Sequence, residues 1–134
     1  MSEPYFTISL RIWHPTYASE SIIQAIGLQT RFAQSVGEPR VTPTGDRLDG
    51  IYKQTFCPFR LKDKVDGYFV DGIRDLMPSL EKFRAYFREI RESGGHSELF
   101  VGVFVEGTSG FKLEVKDTTD LAAMSLDLSV EYYF

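Results

Sequence analysis

The segment from Tyr5 to Trp13 limits what this chain can fold into more than any other. Phe6, Ile8, Leu10 and Ile12 fall at every second position, with Thr7, Ser9 and Arg11 between them. Side chains on a β-strand alternate between two faces. The pattern therefore predicts a strand with one face in a core and the other toward water. A helical pattern follows within a few residues. The simplest layered solution covers one sheet face with helices, which makes the expected fold class α+β.

Length and composition set the scale. The chain has 134 residues, the size of one ordinary domain, and residues 1–134 are read as a single globular α+β domain. A core can form at this length without disulfides or a structural metal. Hydrophobic residues make up 43% and charged residues 25% of the chain, which places it among globular rather than disordered proteins. Eleven Phe and seven Tyr suggest a Phe-rich core with some Tyr at the surface. The net charge of −4 disfavours non-specific phosphate-backbone binding, so no nucleic-acid partner is expected. Cys57 is the only cysteine, which excludes an internal disulfide and a multi-cysteine metal site. A single thiol fits a reducing compartment. Met1-Ser2-Glu3-Pro4 lacks the charged start and apolar run of a signal peptide. No apolar stretch approaches the roughly 20 residues that span a bilayer. The expectation is a cytoplasmic protein with no membrane partner.

Along the chain, Ser19 is placed to cap a helix over Glu20–Ile26, and Gly27 is placed to stop it. Residues Gln29 to Asp49 read as one long loop punctuated by Gly37, Pro39, Pro43 and Gly45. Loops of that length are uncommon in compact domains unless functional, so it is the first place to seek a binding surface. A second strand is expected over Gly50–Leu61, with Pro58 marking an edge or a bulge. From Tyr68 the pattern turns helical, with Pro78 kinking or restarting the helix and Gly94-Gly95 ending it. Leu99, Val101, Val103 and Val105 alternate with Phe100, Gly102 and Phe104, which predicts a central strand. Gly107–Gly110 reads as a hairpin loop leading to a strand through Phe111, Leu113 and Val115. Asp117 or Thr118 would cap a short helix over Leu121 and Met124. A last strand carries Leu126, Leu128, Val130, Tyr132 and Phe134 on one face. The expected architecture is a mainly antiparallel sheet of about five strands with helices on one face, ferredoxin-like in style.

Few residues announce chemistry. His14 lies beside Trp13 at the end of the first strand, but the only other histidine, His96, has no ligand spacing to it. His14 reads more simply as a turn residue before Pro15. Cys57 sits among Phe56, Pro58 and Phe59, a setting that raises a thiol pKa and suits a buried structural cysteine. Asp46 and Asp49 could do acid–base work or hold Mg²⁺, though two acids in a loop are usually solvated. Asp117 and Asp120 read as helix-start residues. Arg84, Arg88 and Arg91 form a basic stripe interspersed with Glu81, Glu89 and Glu92, which marks a solvated helix face. Gly102-Val103-Phe104-Val105 resembles the aromatic strand of RNA-recognition domains but lacks its basic lead residue and second aromatic.

A family resemblance rests on Ile8–Trp13, the helix from Ser19, Ile26-Gly27-Leu28-Gln29-Thr30-Arg31 and Gly37-Glu38-Pro39-Arg40. These resemble a bacterial family catalogued only as domain of unknown function 4279. That family opens with a strand ending near a Trp, then a helix closing on Leu-Gly-Leu-x-Pro-Thr, then a Gly-Asp/Glu-Pro turn. Tyr68 to Val105 is similar too, so the resemblance covers nearly the whole chain through short motifs. The chain departs from it in lacking the Pro before Thr30 and in the stretch Thr42–Phe59. The resemblance implies an α+β fold and carries no established activity. Some small acidic bacterial proteins of this general kind are immunity proteins against toxins, which is an analogy.

The leading expectation is a non-enzymatic protein-binding module, such as an immunity-type inhibitor of a toxin. Its expected contacts are Trp13, Arg31, Arg47, Asp49 and Tyr52, because Trp, Tyr and Arg dominate interface hot spots. Trp13 could equally just cover the open end of the core. A small-molecule-sensing regulatory domain is the alternative, and a small enzyme using Asp46, Asp49 or His14 ranks last. No catalytic residue, metal or cofactor is assigned. The partner is a protein or a small molecule, and the chain is a monomer or a homodimer.

Overall fold

A computed structural model describes residues 4–134. Met1–Glu3, on which the signal-peptide reading partly rests, lie outside the described residues. The elements are β1 (Tyr5–His14), α1 (Ser19–Ile26), β2 (Pro39–Val41), β3 (Arg47–Ile51), β4 (Thr55–Asp66), α2 (Phe69–Leu80), α3 (Arg84–Glu92), β5 (His96–Phe104), α4 (Val115–Ala123) and β6 (Leu126–Tyr133).

The α+β class holds, but the sheet differs from expectation. It has four strands in the order β4-β1-β5-β6. β1 runs antiparallel to β4 and β5, while β6 runs parallel to β5. The sheet is therefore mixed. The stretch read as a loop contains β2 and β3, which form a separate two-stranded antiparallel sheet. The strand expected over Gly50–Leu61 is likewise divided, its start belonging to β3 and the rest to β4. β4 is an edge strand, as Pro58 suggested.

The parallel pair has a local cause. No strand forms at Phe111–Val115. Phe111 packs edge-on against Phe69 with ring centroids 5.0 Å apart. The Lys112 N–H donates to the Tyr68 hydroxyl at 2.8 Å. The chain thus crosses the start of α2 and enters α4 instead of turning back in a hairpin. A crossover of this kind is what lets two consecutive strands lie parallel. α4 begins at Val115, upstream of the expected cap, with Glu114 at the N-cap. Asp117 is at the third helical position, where its carboxylate accepts the Glu114 N–H at 2.8 Å.

Two other helix boundaries shift for physical reasons. Ala18, not Ser19, is the N-cap of α1. Ser19 is buried inside the first turn, and its N–H donates to Ser35 Oγ at 2.8 Å, so a distant serine satisfies that orphan donor. Gly27 ends α1 at φ 75°, the left-handed conformation expected of it. Pro78 lies inside α2, and the break falls at the 3-10 turn Glu81–Phe83.

The core lies between one face of the sheet and the helices. Phe6, Ile8, Leu10 and Ile12 are buried as their alternation predicted, together with Phe59, Leu99, Val101, Ile22, Ile73, Phe87 and Ile90. It is largely aliphatic, with Phe6, Phe59, Phe69 and Phe87 as its phenylalanines, rather than Phe-rich. Gly72 lets α2 settle onto β1, since a Cβ there would stand 2.6 Å from the Phe6 ring. No helix among the described residues is long and apolar enough to cross a membrane.

Candidate functional site

The sheet face opposite the helices holds the side chains of β1 that alternate away from the core. Strand register sets them in rows. Phe56, Trp13 and His96 form one row, and Pro58, Arg11, Glu98 and Asp127 the next. Further along, Tyr5, Phe104 and Tyr133 form a third. The aromatic rows are packed within themselves. Trp13 stacks on His96 at 4.6 Å and leans on Phe56 at 4.9 Å. Phe104 is sandwiched between Tyr5 at 4.6 Å and Tyr133 at 4.8 Å. Between the rows, the Arg11 guanidinium carbon lies 3.6 Å from the centroid of Phe100. Apart from the exposed Asp127 and Tyr133 these side chains are half-buried, so the face is neither a core nor an ordinary polar surface.

Charge on this face is mixed. Arg11 approaches Glu98 at 3.9 Å, while its buried Nε finds no acceptor among the described residues. Partial burial raises the Glu98 carboxyl above its ordinary range, against the pull of Arg11. Tyr133 donates its hydroxyl to Glu131, which raises the phenol's pKa.

At the β4 side the face runs into a cleft of about 400 Å³ lined by Ser9, Thr30, Arg31, Phe32, Pro58 and Arg60. Phe32 is 45% exposed, and its ring lies 6.4 Å from Phe56. The segment holding Arg31 and Phe32 is tied down by Thr30, whose hydroxyl donates to the Pro58 carbonyl. The Gln34 N–H donates to the Phe56 carbonyl at 3.0 Å, and the Phe56 N–H to the Gln34 carbonyl at 3.0 Å. Of the expected contacts, Trp13 and Arg31 are thus brought to one neighbourhood, joined through Phe56 and Phe32.

Arg47, Asp49 and Tyr52 belong elsewhere. Arg47 and Asp49 are exposed on β3, and Asp49 offers its backbone carbonyl to Arg40 at 3.2 Å. Tyr52 follows β3 and anchors the small sheet: its hydroxyl accepts the Val41 N–H at 3.2 Å, and its own N–H donates to Glu38 at 3.0 Å. Asp46 closes the β2–β3 turn, accepting from Thr44 and donating its N–H to Thr42.

His14 and Cys57 are both buried. His14 continues the β1 alternation into the core and is fully buried. Its Nδ1 accepts the N–H groups of Thr16 at 3.0 Å and Tyr17 at 2.9 Å. That assigns the proton to Nε2, which lies 2.7 Å from Ser93 Oγ. Burial lowers its pKa, opposed by Glu89. Cys57 is buried, and that burial, helped by Glu20, pushes its thiol up to about 11.

A second cleft, about 530 Å³, lies on the helical side between α2 and α4. Its cations already have carboxylate partners. Arg74 grips Asp117 through two bonds of 2.8 Å, Arg84 pairs with Glu81, and Lys116 approaches Asp120. The Arg74 fork holds the Asp117 carboxyl down to about 2. This pair pins α4 to α2. Arg91 likewise pairs with Asp127 at 3.0 Å, in keeping with the reading of the α3 stripe as a mixed-charge face.

No family model matches the chain, and no curated protein or solved structure is significantly similar to it.

Sequence reasoning did not select Phe32, Phe56, Arg60, His96 or the Tyr5–Phe104–Tyr133 stack. The signal was present in the aromatics at even positions of β5, set beside the outward residues of β1.

Proposed function

We propose that the chain is a non-enzymatic protein-binding module that receives its partner on the open sheet face at the Trp13–Phe56–Phe32–Arg31 rim. The observation that carries this reading is the contiguous half-exposed aromatic surface, continued by a cleft with two arginines. Aromatic anchors with neighbouring arginine are the side chains that concentrate binding energy in interfaces. The favoured form is an immunity-type inhibitor of a toxin. Its net charge of −4 speeds encounter with a basic partner protein, and the rim then supplies contact. Membership of the family of unknown function is part of this proposal and is compatible with a binding role.

The enzyme reading loses support because its residues do not converge. His14 is consumed by the β1–α1 turn, while Asp46 and Asp49 belong to the small sheet. A nucleic-acid partner is opposed by Glu98, Asp127 and Glu131 on the same face as the rings. The sensor reading has one observation in its favour, the α2–α4 cleft, whose size suits a small ligand. It also draws on a ferredoxin-like style of fold, from which the parallel β5–β6 pair departs.

The test compares wild type with Phe32→Ser combined with Arg31→Glu, both exposed positions. Wild-type chain recovered from its native cells is expected to carry a stoichiometric protein partner. The double variant, with an unchanged melting temperature, is expected to lose it, and Arg88→Glu on α3 to retain it. Retention of the partner by the rim variant would sink this reading.

A further inference from the structure

The two edges of the main sheet are built differently. β4 carries Pro58, charged Lys62, Asp63 and Lys64, a left-handed Lys64 at φ 47°, and register shifts in its pairing with β1. Proline, charge and irregular backbone are the devices that stop an edge from recruiting another strand. β6 contains no proline and no left-handed residue, and its charges are limited to Asp127 and Glu131. Its register with β5 runs without a shift from Ser97↔Leu126 to Phe104↔Tyr133. Among the described residues it has a strand neighbour on one side only. Its end is apolar, with Tyr133 41% and Phe134 91% exposed.

The backbone of β6 indicates what the free edge offers. The Val105 N–H donates to the Tyr133 carbonyl at 3.1 Å, so Tyr133 directs its backbone groups toward β5. Backbone groups alternate in direction along a strand, so Leu126, Leu128, Val130 and Tyr132 direct theirs outward. We infer that β6 pairs antiparallel with β6 of a second copy of this chain, about a two-fold axis at Val130. The dimer joins two four-stranded sheets into one and is independent of the binding role proposed for the open face.

Charge is compatible with a second copy as the occupant and chooses the register. With the axis at Val130, the outward-directed residues match as Val130 with Val130, Leu128 with Tyr132 and Leu126 with Phe134. On the open face, Ser129 then meets Glu131 and Asp127 meets Tyr133, so no like charges stand directly opposite. Moving the axis to Ser129 would set Asp127 against Glu131 twice, and directly opposed like charges destabilise a strand pair. A two-fold contact is also the commonest closed symmetry for identical chains, since the same patch serves both sides.

The test is sedimentation equilibrium of the full chain and of two variants at Ser129. Wild type is expected to be a dimer. Ser129→Asp, which faces Glu131 twice, should raise the dimer dissociation constant by about tenfold. Ser129→Lys at the same site should tighten the dimer. Circular dichroism spectra and melting curves of both variants at low concentration should match those of the wild-type monomer. A wild-type chain that stays monomeric at its solubility limit overturns the inference. So does a dimer whose dissociation constant neither variant moves, because its interface then lies elsewhere.

Discussion

The two faces of β1 belong to one ten-residue strand yet do different work. The covered face carries Phe6, Ile8, Leu10, Ile12 and His14, all at 2% exposure or less. The open face carries Tyr5, Thr7, Arg11 and Trp13, all half-buried, with Ser9 shielded among them. On the first face, shape and dryness hold the fold. On the second, flat rings and a guanidinium cover the backbone while remaining reachable. Stability is thus concentrated on one side of the sheet, which leaves the other side available for the binding role proposed for it.

Adjacent residues on opposite faces can test that division. The largest effect is expected from Leu10→Ala, which empties a fully buried site. It should cost about 2–5 kcal/mol in urea unfolding. If it costs as little as an open-face substitution, the comparison fails. Next is Gly72→Ala on α2, where the new methyl group would press on the Phe6 ring at 2.6 Å. Forced overpacking of this sort should cost about 1–3 kcal/mol, read as a lower melting temperature.

Smaller effects should appear as pH dependence. The folded-state pKa of Asp117 is depressed from 3.8 to about 2. The stabilisation from its pairing is therefore complete above the ordinary carboxylate pKa and lost as pH falls through about 2. Asp117→Asn should flatten the fall in melting temperature over that window. His14 has a folded-state pKa below its ordinary 6.5, so its stabilisation is complete above 6.5 and declines as pH drops further. His14→Gln should lower the melting temperature at neutral pH and remove that decline. An unaltered slope would mean that His14 is not held neutral in the core.

The smallest effect is expected from Arg11→Ala. It removes a half-exposed ion pair and a cation–ring contact. Its cost in urea unfolding should be about 1 kcal/mol or less. A cost approaching that of Leu10→Ala would show that the open face is part of the structural core and would weaken the binding role proposed for it.

Much of the fold was visible in local patterns. The period-two alternation identified the inward face of β1, the interior position of β5 and, from Leu126 to Tyr132, the inward face of β6, but Phe134 lies beyond the strand and is 91% exposed. Carried one step further, it also placed His14 inside, although the sequence reading stopped at Ile12 and took the histidine for a turn residue. Gly27 marked the end of α1 because only a left-handed residue fits there. The site was less visible. Trp13 and Arg31 were singled out as types suited to interfaces, but their link runs through Phe56 and Phe32, which only strand register and the Gln34–Phe56 bridge bring together.

Periodicity therefore settles which way a side chain points, because that depends on the residue's own backbone and its nearest neighbours. It does not settle which strand lies alongside, or in which direction. The parallel placement of β6 follows from Phe111 packing on Phe69 and from Lys112 bonding to Tyr68, contacts between segments far apart in sequence. The cap that Ser35 provides for Ser19 and the Arg74 clamp on Asp117 are of the same kind. The aromatic rows of the open face also exist only once the strands have paired.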